Sequence, residues 1–174
     1  MTSRLFALLA LLALVPCGCG DSPSTTTPDG GGATNPTASA TLPDALSLAT
    51  EPAGAKPIAE VIAGLTANAA VVARGRVGEE GNSSYFTLAD GSLKACTEMG
   101  DECPTPWDYC CTSADDKKLN MATVELRVGG ELIEKSVLGF HGLDHLTEVV
   151  VTGEAKKDSA GNVTIVASGI WVKP

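Results

Sequence analysis

Aromatic side chains are few in this chain: two Trp, two Tyr and three Phe among 174 residues. Positive charge is short as well, with 12 Lys and Arg against 21 Asp and Glu, a formal net charge of −9. From Glu51 onward, 11 basic against 18 acidic residues leave −7. Phosphate backbones bind through cationic contacts and single strands through aromatic stacking, so the two scarcities together argue against nucleic acid as a partner. The apolar run Leu5–Val15 has only eleven residues, whereas a helix needs about 20 to cross a bilayer. Missing too are a Cys-x2-Cys knuckle, a phosphate-binding glycine loop, a D-x-[DN]-x-[DN]-G calcium loop and any nucleophile–base–orienter set. No catalytic residue can be named, and the reading leans against an enzyme.

What is present begins with an export signal. Met1–Arg4 is a short positive segment, Leu5–Val15 is the apolar stretch, and P-C-G-C-G-D follows where cleavage belongs. The arrangement resembles a bacterial lipoprotein signal, in which a cysteine becomes the lipidated first residue. Cys19, preceded by the small Gly18, is the expected site, and Cys17, preceded by Pro16, is the alternative. Residues 1–19 are therefore read as signal. Residues 20–56, rich in Ser, Thr, Pro, Gly and Ala, are read as a disordered tether that cannot bury enough apolar surface to offset chain entropy.

Residues 57–174 are the expected folded domain. Ile58, Val61, Ile62 and Leu65 share one face of a short helix beginning near Pro57. Val71–Val77 alternates as a strand, with Ala73, Gly75 and Val77 on one face and Arg74 and Arg76 on the other, and Tyr85–Leu88 is a second strand before the Asp90-Gly91 turn. Beyond an insertion at 92–120, Met121–Val128 alternates again, and Gly129-Gly130 turns the chain into a strand over Leu132–Leu138. A short turn at Phe140–Leu146 precedes a strand at Glu148–Glu154. The loop Asp158–Asn162 leads to a last strand, Val163–Val172, read with Val163, Ile165, Ala167 and Trp171 on one face. This order resembles the OB-fold, a small Greek-key β-barrel, on the strength of V-V-A-R-G-R-V leading to Y-F-T-L-A-D-G and of L-T-E-V-V-V-T-G-E leading to V-T-I-V-A-S-G-I-W-V. The resemblance implies a mainly β fold and carries no function with it.

The insertion holds Cys96, Cys103, Cys110 and Cys111. In an oxidising compartment four cysteines most simply form two disulfides, Cys110 and Cys111 each pairing with Cys96 or Cys103. The alternative is a thiolate site for zinc or copper, or a redox-active thiol pair. Glu98, Asp101, Glu102, Asp108, Asp115 and Asp116 make the loop acidic and offer oxygen ligands without a calcium-loop spacing. His141 and His145, with Asp144 between them, are weak metal candidates, and Trp107 is a binding aromatic or a lid packed over the disulfides. The run C-P-T-P-W-D-Y-C-C at Cys103–Cys111 is similar to that of uncharacterised exported bacterial lipoproteins, which implies location and fold but no activity. The expectation is a lipid-anchored protein of the cell envelope, periplasmic or surface-facing, with a binding or structural role. It needs no cofactor unless the cysteines hold metal, and its partners are the membrane and an envelope protein or small ligand.

Overall fold

The computed structural model describes residues 41–100 and 102–174. The signal, Cys17, Cys19 and most of the tether lie outside the described residues, as does Asp101.

Five strands close into a barrel. In chain order the regular elements are β1 (Lys56–Pro57), α1 (Ile58–Gly64), β2 (Ala69–Glu80), β3 (Tyr85–Ala89), α2 (Cys96–Met99), α3 (Ala114–Asn120), β4 (Met121–Glu125), β5 (Arg127–Val128), β6 (Glu131–Leu132), β7 (Glu148–Lys157) and β8 (Val163–Val172). Around the barrel the order is β2-β3-β4-β8-β7, and β7 returns to β2. These five pairings are antiparallel except β4 with β8, which run parallel, and the two-residue β1 also pairs parallel with β2. This is the Greek-key path of an OB-like barrel. Closure depends on the length of β2: its first half, Ala69–Arg76, pairs with β7, while Arg76–Glu80 pairs with β3. One strand thereby serves two neighbours and leaves no open edge between them.

The alternation read along β2 and β3 holds. Ala73, Gly75, Val77, Phe86 and Leu88 are buried, and they meet Ala122, Val124, Leu126, Val149, Val151 and Ile165 in one core. Helix α1 covers this core with Ile58, Val61 and Ile62, and Leu65 follows just past its end. Its N-cap position is Pro57, which supplies no side-chain acceptor. Asp90, at the far end of β3, does so instead: its Oδ2 accepts from the Ala59 N–H at 3.2 Å and its Oδ1 from the Ser92 N–H at 2.9 Å.

Three sequence expectations are corrected. The strand expected over Leu132–Leu138 is only the two-residue β6, which forms a hairpin with β5 around Gly129-Gly130 before the chain turns away. On β8 the expected phase fails after Ala167. Gly169 pairs with Thr152 and Ala167 with Gly153, so Ser168 is an extra residue opposite no partner. That bulge reverses the alternation, burying Ile170 and turning Trp171 outward. The insertion, to which the sequence reading assigns no helix or strand, contains α2 and α3. Residues ahead of position 57 also pack on the barrel: Leu42 is buried in the core, Leu46 packs against it, and the Leu48 N–H donates to the Ile170 carbonyl at 2.8 Å. Three leucines in an otherwise small and polar stretch are enough to dock it. Among the described residues no helix is long and apolar enough to cross a membrane.

Candidate metal centre

The insertion leaves the barrel at Asp90 and returns at Met121, so its two ends are fixed by β3 and β4. Between them the chain is tied back on itself. The Cys96 N–H donates to the Asp108 carbonyl and the Thr97 N–H to the Pro106 carbonyl, both at 2.9 Å. Asp108 in turn donates to Thr105 at 2.9 Å, closing the turn after Pro104. Helix α2 ends at Gly100, whose φ of 77° is the left-handed conformation that glycine adopts without penalty.

Arg76 clamps this loop to the barrel. Its Nη1 is 2.8 Å from Glu98 Oε1 and its Nη2 is 3.0 Å from Glu98 Oε2, a two-pronged ion pair. The same Nη2 donates to the Leu93 carbonyl, and Glu98 Oε2 also accepts from the Ala95 N–H at 2.8 Å. Arg76 holds the Glu98 carboxyl below its ordinary value. The guanidinium lies 6.0 Å from the ring centre of Tyr109, which is fully buried with Ala89 and Ala95. A side chain at Gly78 would stand 3.2 Å from that ring, so glycine there leaves the space it fills. Trp107 stacks on His145, ring centres 4.2 Å apart and 12° from parallel. A buried tyrosine and a stacked tryptophan thus seat the loop between Cys103 and Cys111.

The result is convergence of four sulfurs. The Sγ atoms of Cys96, Cys103, Cys110 and Cys111 all lie within 4.8 Å of one another. Cys110 is at the centre, 3.1 Å from Cys96, 3.5 Å from Cys103 and 3.8 Å from Cys111. A disulfide bond measures about 2.05 Å, so the expected bridges between Cys110 and either Cys96 or Cys103 are not formed here. Four thiolates about 2.3 Å from a tetrahedral zinc stand about 3.8 Å from each other; the separations here, 3.1–3.8 Å about Cys110 and none above 4.8 Å, bracket that value. The hydrogen bond with Cys110 holds the Cys96 thiol below its ordinary value, whereas its bonds to Cys110 and Cys96 push the Cys103 thiol up to about 12. A negative charge on one sulfur is favoured by its neighbours' S–H groups and a second charge is opposed by the first; a cation between the sulfurs would offset that repulsion.

The other sequence candidates are placed elsewhere. His141 Nε2 meets Asp44 Oδ1 at 3.0 Å, while His145 is occupied by Trp107, and its Nδ1 is 3.8 Å from Asp144 Oδ1. Glu98 is taken by Arg76, and Asp116 accepts from the Ser113 hydroxyl at 2.7 Å. Among the described residues the four cysteines are the one group of three or more potential ligands brought within reach of a single ion. What sequence reading missed is the support: Arg76, Tyr109 and Gly78. The signals for the first and last were an arginine on the face of β2 opposite the core and a glycine two residues along the same face. No protein-family model matches the chain, and no curated protein matches it.

Proposed function

We propose that this domain is a metal-thiolate protein of the cell envelope, binding one soft d10 ion, zinc or copper(I), through Cys96, Cys103, Cys110 and Cys111. The observation that carries the reading is the convergence of all four sulfurs within 4.8 Å, at separations suited to a tetrahedral ion. The anchor belongs to the same proposal: the P-C-G-C-G-D sequence supports lipidation at Cys19, with Cys17 as the alternative, and attachment to a membrane through the tether. Labelling with a fatty-acid analogue tests it, with Cys19→Ser expected to abolish label and Cys17→Ser to keep it.

The metal reading is tested on the full-length chain, purified in mild detergent without chelator, by elemental analysis alongside intact mass. One zinc or copper per chain is the expected result, with four alkylatable thiols after denaturation in the processed chain, from which Cys17 is removed with the signal and in which Cys19 is lipidated. Loss of four hydrogens with no metal would establish two disulfides. That second reading rests on the 3.1 Å and 3.5 Å approaches of Cys110 to Cys96 and Cys103, between which a single bond must choose. It would make the cysteine loop a scaffold for a surface that binds an envelope protein or small ligand.

A further inference from the structure

The four sulfur ligands are unequally placed. Cys96 is fully buried, Cys103 is half-buried, and Cys110 and Cys111 are exposed. The buried ligand is also the best held. It sits on α2, its N–H bonded to the Asp108 carbonyl, and Glu98 on the same helix pairs with Arg76 on β2 while accepting from the Ala95 N–H. An ion here would rest on one sulfur fixed to the barrel and present the Cys110–Cys111 side to solvent. Four thiolates close the coordination sphere of a zinc ion, so an incoming donor can enter only as one of them leaves, and the exposed Cys110–Cys111 side is where it can approach. From this asymmetry, and resting on the metal-thiolate reading above, we infer that the site is built for metal transfer: it carries a thiophilic ion and passes it to an acceptor that brings its own sulfur or nitrogen donor to the exposed face.

The chemistry is ligand substitution. The incoming donor forms one bond to the ion as the bond to Cys110 or Cys111 breaks, and the released thiolate takes a proton from water. No electron moves, and the ion keeps its charge throughout. Cys96 is the last ligand released, because reaching it requires the helix and its Arg76 clamp to open. Exchange by this route is bimolecular: its rate depends on how often an acceptor arrives. A site whose ligands are all buried exchanges only after the ion dissociates unaided.

The experiment uses the full-length chain loaded with zinc and follows its removal by the dye 4-(2-pyridylazo)resorcinol at a series of dye concentrations. Stoichiometric zinc leaving at a rate proportional to dye, so that doubling the dye doubles the rate, is the expected result. Stoichiometric zinc leaving at a rate indifferent to dye would overturn the transfer role and leave a structural metal site standing. A chain that takes up no zinc with its thiols reduced would remove the metal reading itself, and transfer with it.

Discussion

Arg76 is the residue on which the cysteine loop depends, because one guanidinium reaches Glu98, the Leu93 carbonyl and the Tyr109 ring. Glu98 is 41% exposed, so the pair is screened, and Glu98→Gln should cost less than about 1 kcal/mol of stability at neutral pH. Its effect on the site should be larger: partners that orient metal ligands typically change affinity about 10–100-fold, and zinc competition on this variant should fall at the lower end. The acid limb provides an independent check. The folded Glu98 carboxyl is held below its ordinary 4.5, so its stabilising contribution is complete above that pH and is lost as pH falls through the folded value. Urea unfolding from pH 7 to 3 should therefore show a shallower loss in Glu98→Gln than in the parent, and superimposable curves would show that the ion pair is not formed in solution. Asp90 acts in the same direction. Burial raises its carboxyl, but the N–H bonds from Ser92 and Ala59 outweigh that and leave it lowered. Asp90→Ala leaves the first turn of α1 without its acceptor and should cost about 1–2 kcal/mol. Urea midpoints would measure it, and a loss within error would mean that water caps the helix equally well.

At the scale of elements, the strands were legible where one face is buried and the alternation is unbroken. Residues Val71–Val77, Tyr85–Leu88 and Glu148–Glu154 all lie inside β2, β3 and β7. The extra residue at Ser168 had a signal that was not used: Gly169 interrupts the strand, and the apolar positions switch phase from Ile165 and Ala167 to Ile170 and Val172. The bulge sits beside Gly153, and a methyl built there would lie 2.3 Å from the Val166 carbonyl oxygen. Backbone cannot yield as a flexible side chain can, so Gly153→Ala should destabilise by about 1–3 kcal/mol. Gly64, in the last turn of α1, has nothing within 4 Å of the same methyl. Gly64→Ala should stabilise by up to about 1 kcal/mol by restricting the unfolded chain. Denaturant midpoints moving in opposite directions would confirm both; a harmless Gly153→Ala would mean that β7 and β8 are less closely apposed than described. Helix α3 was missed although its start was written in the chain: Ser113 accepts from the Asp116 N–H at 3.1 Å, the S-x-x-D form of a cap. In the site, the residue types and their disposition to bind soft metals were legible, but convergence of the sulfurs depends on Arg76 and Tyr109, which no spacing rule connects to Cys96.

For the molecule as a whole, the decisive property is that the barrel and the cysteine loop are stabilised by different residues. The main core is aliphatic and aromatic throughout and includes none of the four cysteines. The loop rests on a smaller cluster of Ala89, Ala95 and Tyr109, flanked by Leu93, Met121 and Leu146. A metal bound at the cysteines therefore adds to a fold that already exists, unlike a zinc finger, whose folding energy is the binding energy itself. Binding to the native state alone stabilises by about 2.7 kcal/mol when free ion is 100 times its dissociation constant. Zinc-loaded protein should accordingly show a higher urea midpoint than the same protein in chelator, while the chelated form keeps its strand signal in circular dichroism and unfolds cooperatively. Hydrogen exchange should separate the two regions: chelation should speed amides between Leu93 and Thr112, including the Cys96 and Thr97 N–H groups bonded to Asp108 and Pro106, and leave β2, β7 and β8 protected. Collapse of protection across the barrel strands would show that the loop is part of the folding core. The separation is also what a site for exchange requires, since a domain that loses its ion in each cycle must remain folded without it.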